Sequence, residues 1–197
     1  MMSPLNEEEQ RCLLTLARQA IASALRDAEL DLTAIAAALP SRRLATAGAA
    51  FVSLHKQERL RGCVGFIASL KPLYQTVVEA ARAAAFHDQR FSPLRPDEFP
   101  EVEIEVSVLS PFFTIAPENV QPGEHGLMVT LGSYRGLLLP QVAREHGWTR
   151  ERFLEETCAK AGLERDAWKH GARLEAFTAI VFSEATLAAH HSAPEKK

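Results

Sequence analysis

The sequence of 197 residues contains only three cysteines, and their spacing excludes the common cysteine-based sites. Cys12, Cys63 and Cys158 are far apart, so the chain has neither a CxxC pair nor a Cys/His zinc spacing. An odd number of widely spaced cysteines is typical of a protein in a reducing compartment. The pattern therefore predicts a cytoplasmic protein with no metal ion and no other cofactor.

Long apolar runs, an excess of positive charge and the familiar enzyme motifs are also missing. No window approaches eighteen apolar residues, and the N-terminal stretch MMSPLNEEEQR is acidic and polar, so neither a membrane span nor a secretion signal is predicted. The net charge of −3 argues against nucleic-acid binding. The motifs GxGxxG, GxxxxGKS/T, GxSxG and HExxH do not occur. What remains is a globular chain, 47% hydrophobic, whose composition indicates no particular reaction.

The periodicity of the apolar residues predicts helices and hairpin strands in irregular alternation. Asn6 is a good N-cap for a first helix with apolar residues at helical spacing, and residues 49–67 read as a hairpin that turns at 55–58. EVEIEVSVLS alternates strictly, which predicts a strand, and residues 172–184 read as a single last strand. We expect an α+β fold with a mostly antiparallel sheet, formed by one domain over 1–197 with its core at about 10–186 and a flexible tail at 187–197.

The segment ERLRGCVGFI places a cysteine between two glycines. Gly62 and Gly65 leave Cys63 little shielding, and glycine permits close approach of a ligand or of another backbone. In an extended strand Arg61 would point to the same face as Cys63 and would lower the pKa of its thiol. Cys63 is therefore a candidate nucleophile, with Arg61, Gly62 and Gly65 as candidate substrate contacts. The alternative is a tight bend that needs a small buried residue.

Further candidates lie elsewhere in the chain. Glu103 and Glu105 share one face of the alternating strand. If that face lines a cleft, they are a candidate acid/base pair, and if it is solvated, they are ordinary surface charges. His125 lies between glycines in GEHG and is a candidate base or metal ligand, or simply an exposed turn residue. Asp88 and Arg90 lie in the proline-rich stretch HDQRFSPLRPDEFP, where they could orient a substrate or pair with each other and brace the loop.

Several blocks of the sequence together resemble one known family. FVSLHKQERLRGCVGFI resembles the LRGC signature of the AMMECR domain, also known as protein A of the AmmeMemoRadiSam system. Five further blocks agree in order: AARAAAFHDQRFSPL, EIEVSVLS, GEHGLMV, GLLLPQVAREHGW and CAKAGL. The resemblance implies a central, mostly antiparallel sheet flanked by helices, two subdomains with a cleft between them, and an LRGC block at that cleft. It also implies two companions, a Memo-type protein similar to extradiol dioxygenases and a radical SAM protein.

Two hypotheses about function follow. In the first, the protein is an enzyme or enzyme component in which Cys63 attacks a small molecule and Glu103, Glu105 or His125 acts as a base. In the second, it is a non-catalytic binding or scaffold module that acts with the two companion proteins, and the LRGC block is a close-packed bend. Fold alone does not distinguish these hypotheses.

Overall fold

The computed structural model describes residues 4–67 and 70–191, with the backbone alone for His190 and His191. The chain divides into two compact units. The first comprises the residues up to Val108 and again those from Ile180, and the second comprises Leu109–Ala179. Each unit has its own four-stranded antiparallel sheet. The predicted α+β class is therefore confirmed, with one sheet in each unit.

The helices and strands of the described residues follow in chain order. The helices are α1 (Glu7–Ala24), α2 (Leu32–Ala37), α3 (Leu73–Phe86), α4 (Pro140–Glu145), α5 (Arg150–Lys160) and α6 (Glu184–His191). The strands are β1 (Ala49–Lys56), β2 (Arg59–Phe66), β3 (Val102–Leu109), β4 (Phe113–Thr114), β5 (Gly126–Leu131), β6 (Tyr134–Leu138), β7 (Arg173–Phe177) and β8 (Ala179–Ser183).

The first unit is a sheet in the order β2-β1-β3-β8, with α3 packed on β1 and β2 and α1 packed on α3. The prediction for the start of α1 is confirmed, because Asn6 and Glu9 form a reciprocal capping box with N···O distances of 2.9 and 2.8 Å. The alternating pattern of β3 is also confirmed: Val102, Ile104 and Val106 are buried in the core, where they pack with the apolar faces of both helices.

The second unit is a sheet in the order β4-β7-β5-β6. Its separate core contains Leu127 and Val129 from β5 and Phe153 and Leu154 from α5. Thr149 caps α5 as its sequence position suggests, since its hydroxyl accepts a hydrogen bond from the backbone N–H of Arg152 at 3.3 Å.

The single last strand expected over 172–184 is wrong, because the structure has two strands there. The break is at Thr178, whose N–H donates to Ser110 Oγ at 2.9 Å and whose carbonyl accepts from the Ser110 N–H at 2.9 Å. After this residue the chain leaves the second sheet, which holds β7, and joins the first as β8. The helix α6 then covers residues 184–191 and so includes residues 187–191 of the expected tail, while residues 192–197 lie outside the described part of the chain.

Candidate functional site

The β1–β2 hairpin has a two-residue turn and an irregular register. Gln57 and Glu58 both have positive φ, 51° and 62°, as a type I′ turn requires. Lys56 pairs with Arg59 next to the turn, but the register shifts by one residue further along, so that Arg61 is an extra residue without a cross-strand partner. Such a β-bulge redirects side chains and is common beside functional sites.

The bulge determines what lies opposite Cys63. The cross-strand partner is Ser53, whose hydroxyl donates a hydrogen bond to Cys63 Sγ at 3.3 Å. Ser53 is buried, whereas Cys63 is half-buried. The thiol is therefore held at the sheet surface by a hydroxyl from the neighbouring strand.

Residues 87–98, here called the bracing loop, cover the edge of the sheet at Cys63. Strand β2 is the edge strand, so backbone groups directed away from β1 need partners from outside the sheet. The Cys63 N–H donates to Asp88 Oδ2 at 2.9 Å, and the Cys63 carbonyl accepts from Arg90 Nη2 at 3.3 Å. Two side chains of one loop thus occupy the positions that a further strand would take.

Asp88 and Arg90 form one unit, as the bracing alternative predicted. Arg90 donates from its backbone N–H and from Nε to Asp88 Oδ1, at 3.1 and 3.0 Å, and from Nη2 to Oδ2 at 2.7 Å. The hydrogen bond from Arg90 holds the pKa of the Asp88 carboxyl far below its usual range, against the effect of burial and with help from the Cys63 N–H. Asp88 is therefore a fixed carboxylate rather than a proton carrier.

The pKa of Cys63 is raised, which is opposite to the direction expected from Arg61. Burial of the thiol is the largest cause, and the charges of Asp88 and Glu105 act in the same direction. The Ser53 hydroxyl and the Arg90 cation lower the pKa but do not outweigh burial. Arg61 instead pairs with Glu98, so the sequence argument named the wrong arginine for the thiol.

The bracing loop is fastened to strand β2 at two points. The first is the set of hydrogen bonds from Asp88 and Arg90 to Cys63, and the second is the ion pair between Arg61 and Glu98. Arg61 donates from Nε and Nη2 to the two carboxylate oxygens of Glu98 at 3.3 and 3.1 Å, and both side chains keep only 16% of their exposure. A pocket of about 410 Å³ lies between the two fastenings. Its lining consists of Arg61, the loop residues 90–93, Arg95 and Glu98.

The two glycines beside Cys63 have packing roles. A Cβ on Gly62 would lie 2.2 Å from the carbonyl oxygen of Ala84 in α3, and a Cβ on Gly65 would lie 2.2 Å from the ring of Phe51. The protein itself fills the space that the sequence analysis assigned to a substrate. Gly62 therefore lets helix α3 lie directly against the strand that carries Cys63.

The three predicted acid/base residues each make their own contacts. Glu103 lies on β3 and accepts the backbone N–H of Ala185 at 3.4 Å, at the start of α6. Glu105, two residues along the same strand, is near enough to Cys63 for its charge to affect the thiol. His125 belongs to the second unit, where its Nδ1 accepts the N–H of Gln121 at 3.2 Å within a tight turn.

The parts of the chain that the structure describes hold neither a group of side chains suited to a metal ion nor a helix able to span a membrane. Within residues 4–67 and 70–191, no three His, Cys, Asp or Glu side chains are close enough together to hold a metal ion. Across the same residues, no helix combines the length and apolar character needed to cross a bilayer.

Sequence reasoning missed three polar residues of this site, Ser53, Arg95 and Glu98, and the pocket residues Phe91, Ser92 and Pro93. Glu98 and Arg95 lie in the same proline-rich stretch as Asp88 and Arg90, so the high charge of the whole stretch was the available signal. Ser53 gave a weaker signal, because its position opposite Cys63 depends on the bulge.

Comparison with known proteins finds relatives along most of the chain. The model of the AMMECR1 family matches residues 14–182. A protein of Saccharolobus islandicus is 42% identical over 193 residues, which cover 91% of this chain and 83% of the relative. A protein of Methanothermobacter thermautotrophicus is 40% identical over 190 residues, with coverage of 92% and 97%. The crystal structure of the uncharacterised protein PH0010 from Pyrococcus horikoshii is similar with a TM-score of 0.83 and 36% identity, over 92% of this chain and 93% of that one.

Proposed function

Because this chain belongs to the AMMECR1 family, in which no reaction is given by the relatives' names, we propose a function from the site itself. The protein is a small-molecule-binding component, and its ligand site is the pocket between strand β2 and the bracing loop. The observation that carries this proposal is the double fastening of that loop, by Asp88 and Arg90 at Cys63 and by Glu98 at Arg61, around a space of about 410 Å³.

The fastenings support a preformed site. A loop tied to the sheet on both sides of a pocket pays little ordering entropy when a ligand enters, and this raises affinity. The pocket volume lies within the range of about 300–1,000 Å³ that is usual for small-molecule sites. The raised pKa of Cys63 favours binding over catalysis by this chain alone.

The test is to identify a molecule that co-purifies with the protein. Protein purified from its native cells is denatured, and the released small molecules are identified by mass spectrometry. Ser92→Trp fills the pocket, and Ser133→Trp places the same side chain on the exposed β5–β6 turn as a control. We expect one molecule to be released from the wild type and from Ser133→Trp but not from Ser92→Trp. Equal release from all three proteins, or release from none, would overturn the proposal.

A nucleophilic Cys63 is the second candidate, and the hydrogen bond from Ser53 favours it. A hydroxyl that donates to sulfur stabilises a thiolate, and the Arg90 cation acts in the same direction. The test is the rate of alkylation of Cys63 by iodoacetamide against pH, with each cysteine assigned by mass spectrometry. In the free protein we expect the midpoint to lie above that of an exposed cysteine, because burial raises the pKa of this thiol. The nucleophile candidate requires that midpoint to fall when the co-purified molecule is bound, and an unchanged midpoint eliminates it.

We also propose that the protein acts in the cytoplasm with partners, a Memo-like protein and a radical SAM protein. The support is the resemblance of its ordered sequence blocks to protein A of the AmmeMemoRadiSam system. The test is size-exclusion chromatography of this protein mixed with each purified partner from the same genome. Co-elution supports the proposal, and separate elution from both partners contradicts it.

A further inference from the structure

The lining of the pocket is unusually rich in arginine. Three arginines are among its lining residues, Arg61, Arg90 and Arg95, together with one acidic residue, Glu98. The two other carboxylates that hold these arginines, Asp88 and Asp97, are not part of the lining. The lining residues therefore carry three positive charges and one negative charge. Each of these arginines has a carboxylate partner, so the pocket offers an anion oriented N–H donors rather than an excess of positive charge.

The three arginines are oriented by the same kind of contact. Each one pairs with its carboxylate through Nε and Nη2: Arg61 with Glu98, Arg90 with Asp88, and Arg95 with Asp97 at 2.9 and 2.7 Å. The Nη1 group of each guanidinium takes no part in these pairs. A guanidinium has five N–H donors in a rigid plane, so one edge can be fixed by a protein carboxylate while the other contacts a ligand.

The apolar part of the lining indicates an organic ligand. Phe91 and Pro93 belong to the same pocket, and the Arg90 guanidinium lies 5.5 Å from the centre of the Phe91 ring. Ligand sites commonly combine such an apolar wall with a few convergent polar groups that fix orientation. Glu98 already accepts from Arg61 Nε and Nη2 and from the Arg95 N–H, so it positions the arginines rather than offering a site to a cation.

We propose that the ligand of this pocket is a small organic anion, whose carboxylate or phosphate group is bound by the Nη1 groups of Arg61, Arg90 and Arg95. This inference rests on the proposed function and names the chemical class of the ligand. Arginine suits the role because its planar donors match the oxygens of both anions and its charge is permanent.

The experiment measures anion affinity by isothermal titration calorimetry at constant ionic strength, with inorganic phosphate and malonate as probes and sodium chloride as the blank. Arg95 and Asp97 are both exposed, so substitutions at either leave the fold intact. We expect Arg95→Gln to weaken binding of the preferred probe about three- to tenfold, through loss of a charged donor. Asp97→Asn should strengthen it, because it removes a negative charge beside Arg95 while its amide oxygen can still accept a hydrogen bond from the guanidinium. Arg82→Gln, which removes an arginine from an exposed pair with Glu29 outside the pocket, is the matched control and should have no effect.

The outcomes distinguish a phosphate ligand from a carboxylate ligand. They also distinguish failure of the anion assignment from failure of the proposed binding function. Binding of phosphate alone assigns a phosphorylated ligand, and binding of malonate alone assigns a carboxylate. Heat from neither probe, or an equal loss of affinity in Arg95→Gln and Arg82→Gln, overturns the anion assignment. A co-purified molecule that depends on an open pocket but carries no acidic group would also overturn it, while leaving the proposed binding function standing.

Discussion

Replacement of Asp88 by asparagine tests how the bracing loop is held. The carboxylate accepts four hydrogen bonds, two at each oxygen: Oδ1 from the backbone N–H and Nε of Arg90, and Oδ2 from the Cys63 N–H and Arg90 Nη2. Asparagine has a single acceptor oxygen, and its NH₂ group is a donor. Whichever way the amide turns, two of the four donors then face another donor.

The expected cost follows from these contacts. A hydrogen bond to a charged group contributes about 1.5–3 kcal/mol net, and contacts that share one group are not additive. Because the Arg90 side chain is 58% exposed and can turn to water, the low end of this range applies. We expect Asp88→Asn to lower the free energy of unfolding by about 2 kcal/mol, or the Tm by about 4–8 °C for a chain of this size. Urea denaturation and calorimetry measure both quantities.

The free energy of unfolding at acidic pH gives a second measurement. The pKa of Asp88 is lowered in the folded state, so its ionised form stabilises the fold at every pH above its ordinary value of 3.8. This stabilisation is lost as the pH falls below that value towards the lowered pKa. The stability difference between wild type and Asp88→Asn should therefore be constant near neutral pH and narrow below about pH 4.

Asp97→Asn is the matched control, because it makes the same change in an exposed Asp–Arg pair of the same loop. We expect no measurable change in its stability. Hydrogen exchange at the Cys63 amide adds a local measurement, since Asp88 is the acceptor for that N–H. If Asp88→Asn is as stable as the control and the Cys63 amide exchanges at the wild-type rate, the bracing role of Asp88 is refuted.

Two further experiments test the hairpin that carries Cys63. Gly62→Ala would place a Cβ 2.2 Å from the carbonyl oxygen of Ala84, and we expect a loss of about 2–3 kcal/mol by urea denaturation. Gly132→Ala, where φ is +59° and no atom lies within 4 Å, should lose only about 1 kcal/mol from backbone strain, so equal losses would contradict the packing argument. Gln57→Asn combined with Glu58→Gly places residues suited to positive φ in the turn and should raise the stability by about 1 kcal/mol. An unchanged urea midpoint for this double variant would mean that the turn is not strained.

The elements with strong periodicity were predictable, and the reason is burial on one face. The apolar stripe of α1 and the alternation over residues 102–106 of β3 each describe a segment with one buried side, which the sequence period indicates directly. The break at Thr178 was not predictable in this way. The residues on both sides of it have high β propensity. The break is made by hydrogen bonds to Ser110, nearly seventy positions earlier in the sequence.

For the site, the sequence predicts which types of residue take part but not which of them contact one another. Counting from a two-residue turn at 57–58 without the bulge would place Val52, not Ser53, opposite Cys63. The bulge at Arg61 shifts every later pair by one residue, and nothing local in the sequence marks it. The argument about Arg61 failed at its partner, because the Arg61 guanidinium pairs with Glu98 and not with the thiol. The bracing by Asp88 and Arg90 was predictable because it is local, whereas the Arg61–Glu98 pair joins residues 37 positions apart.

The arrangement of the two units has a consequence for biosynthesis. Strands β3 and β8 are neighbours in the first sheet, yet the whole second unit lies between them in the sequence. While the chain is being made, β3 is an open sheet edge until β8 has been synthesised, and such an edge invites pairing with other chains. The second unit is continuous in sequence and can form first, and its Ser110–Thr178 hydrogen bonds then hold its two ends together. The cost of closing the long loop between β3 and β8 falls accordingly, because a folded insertion with joined ends acts as a short connection.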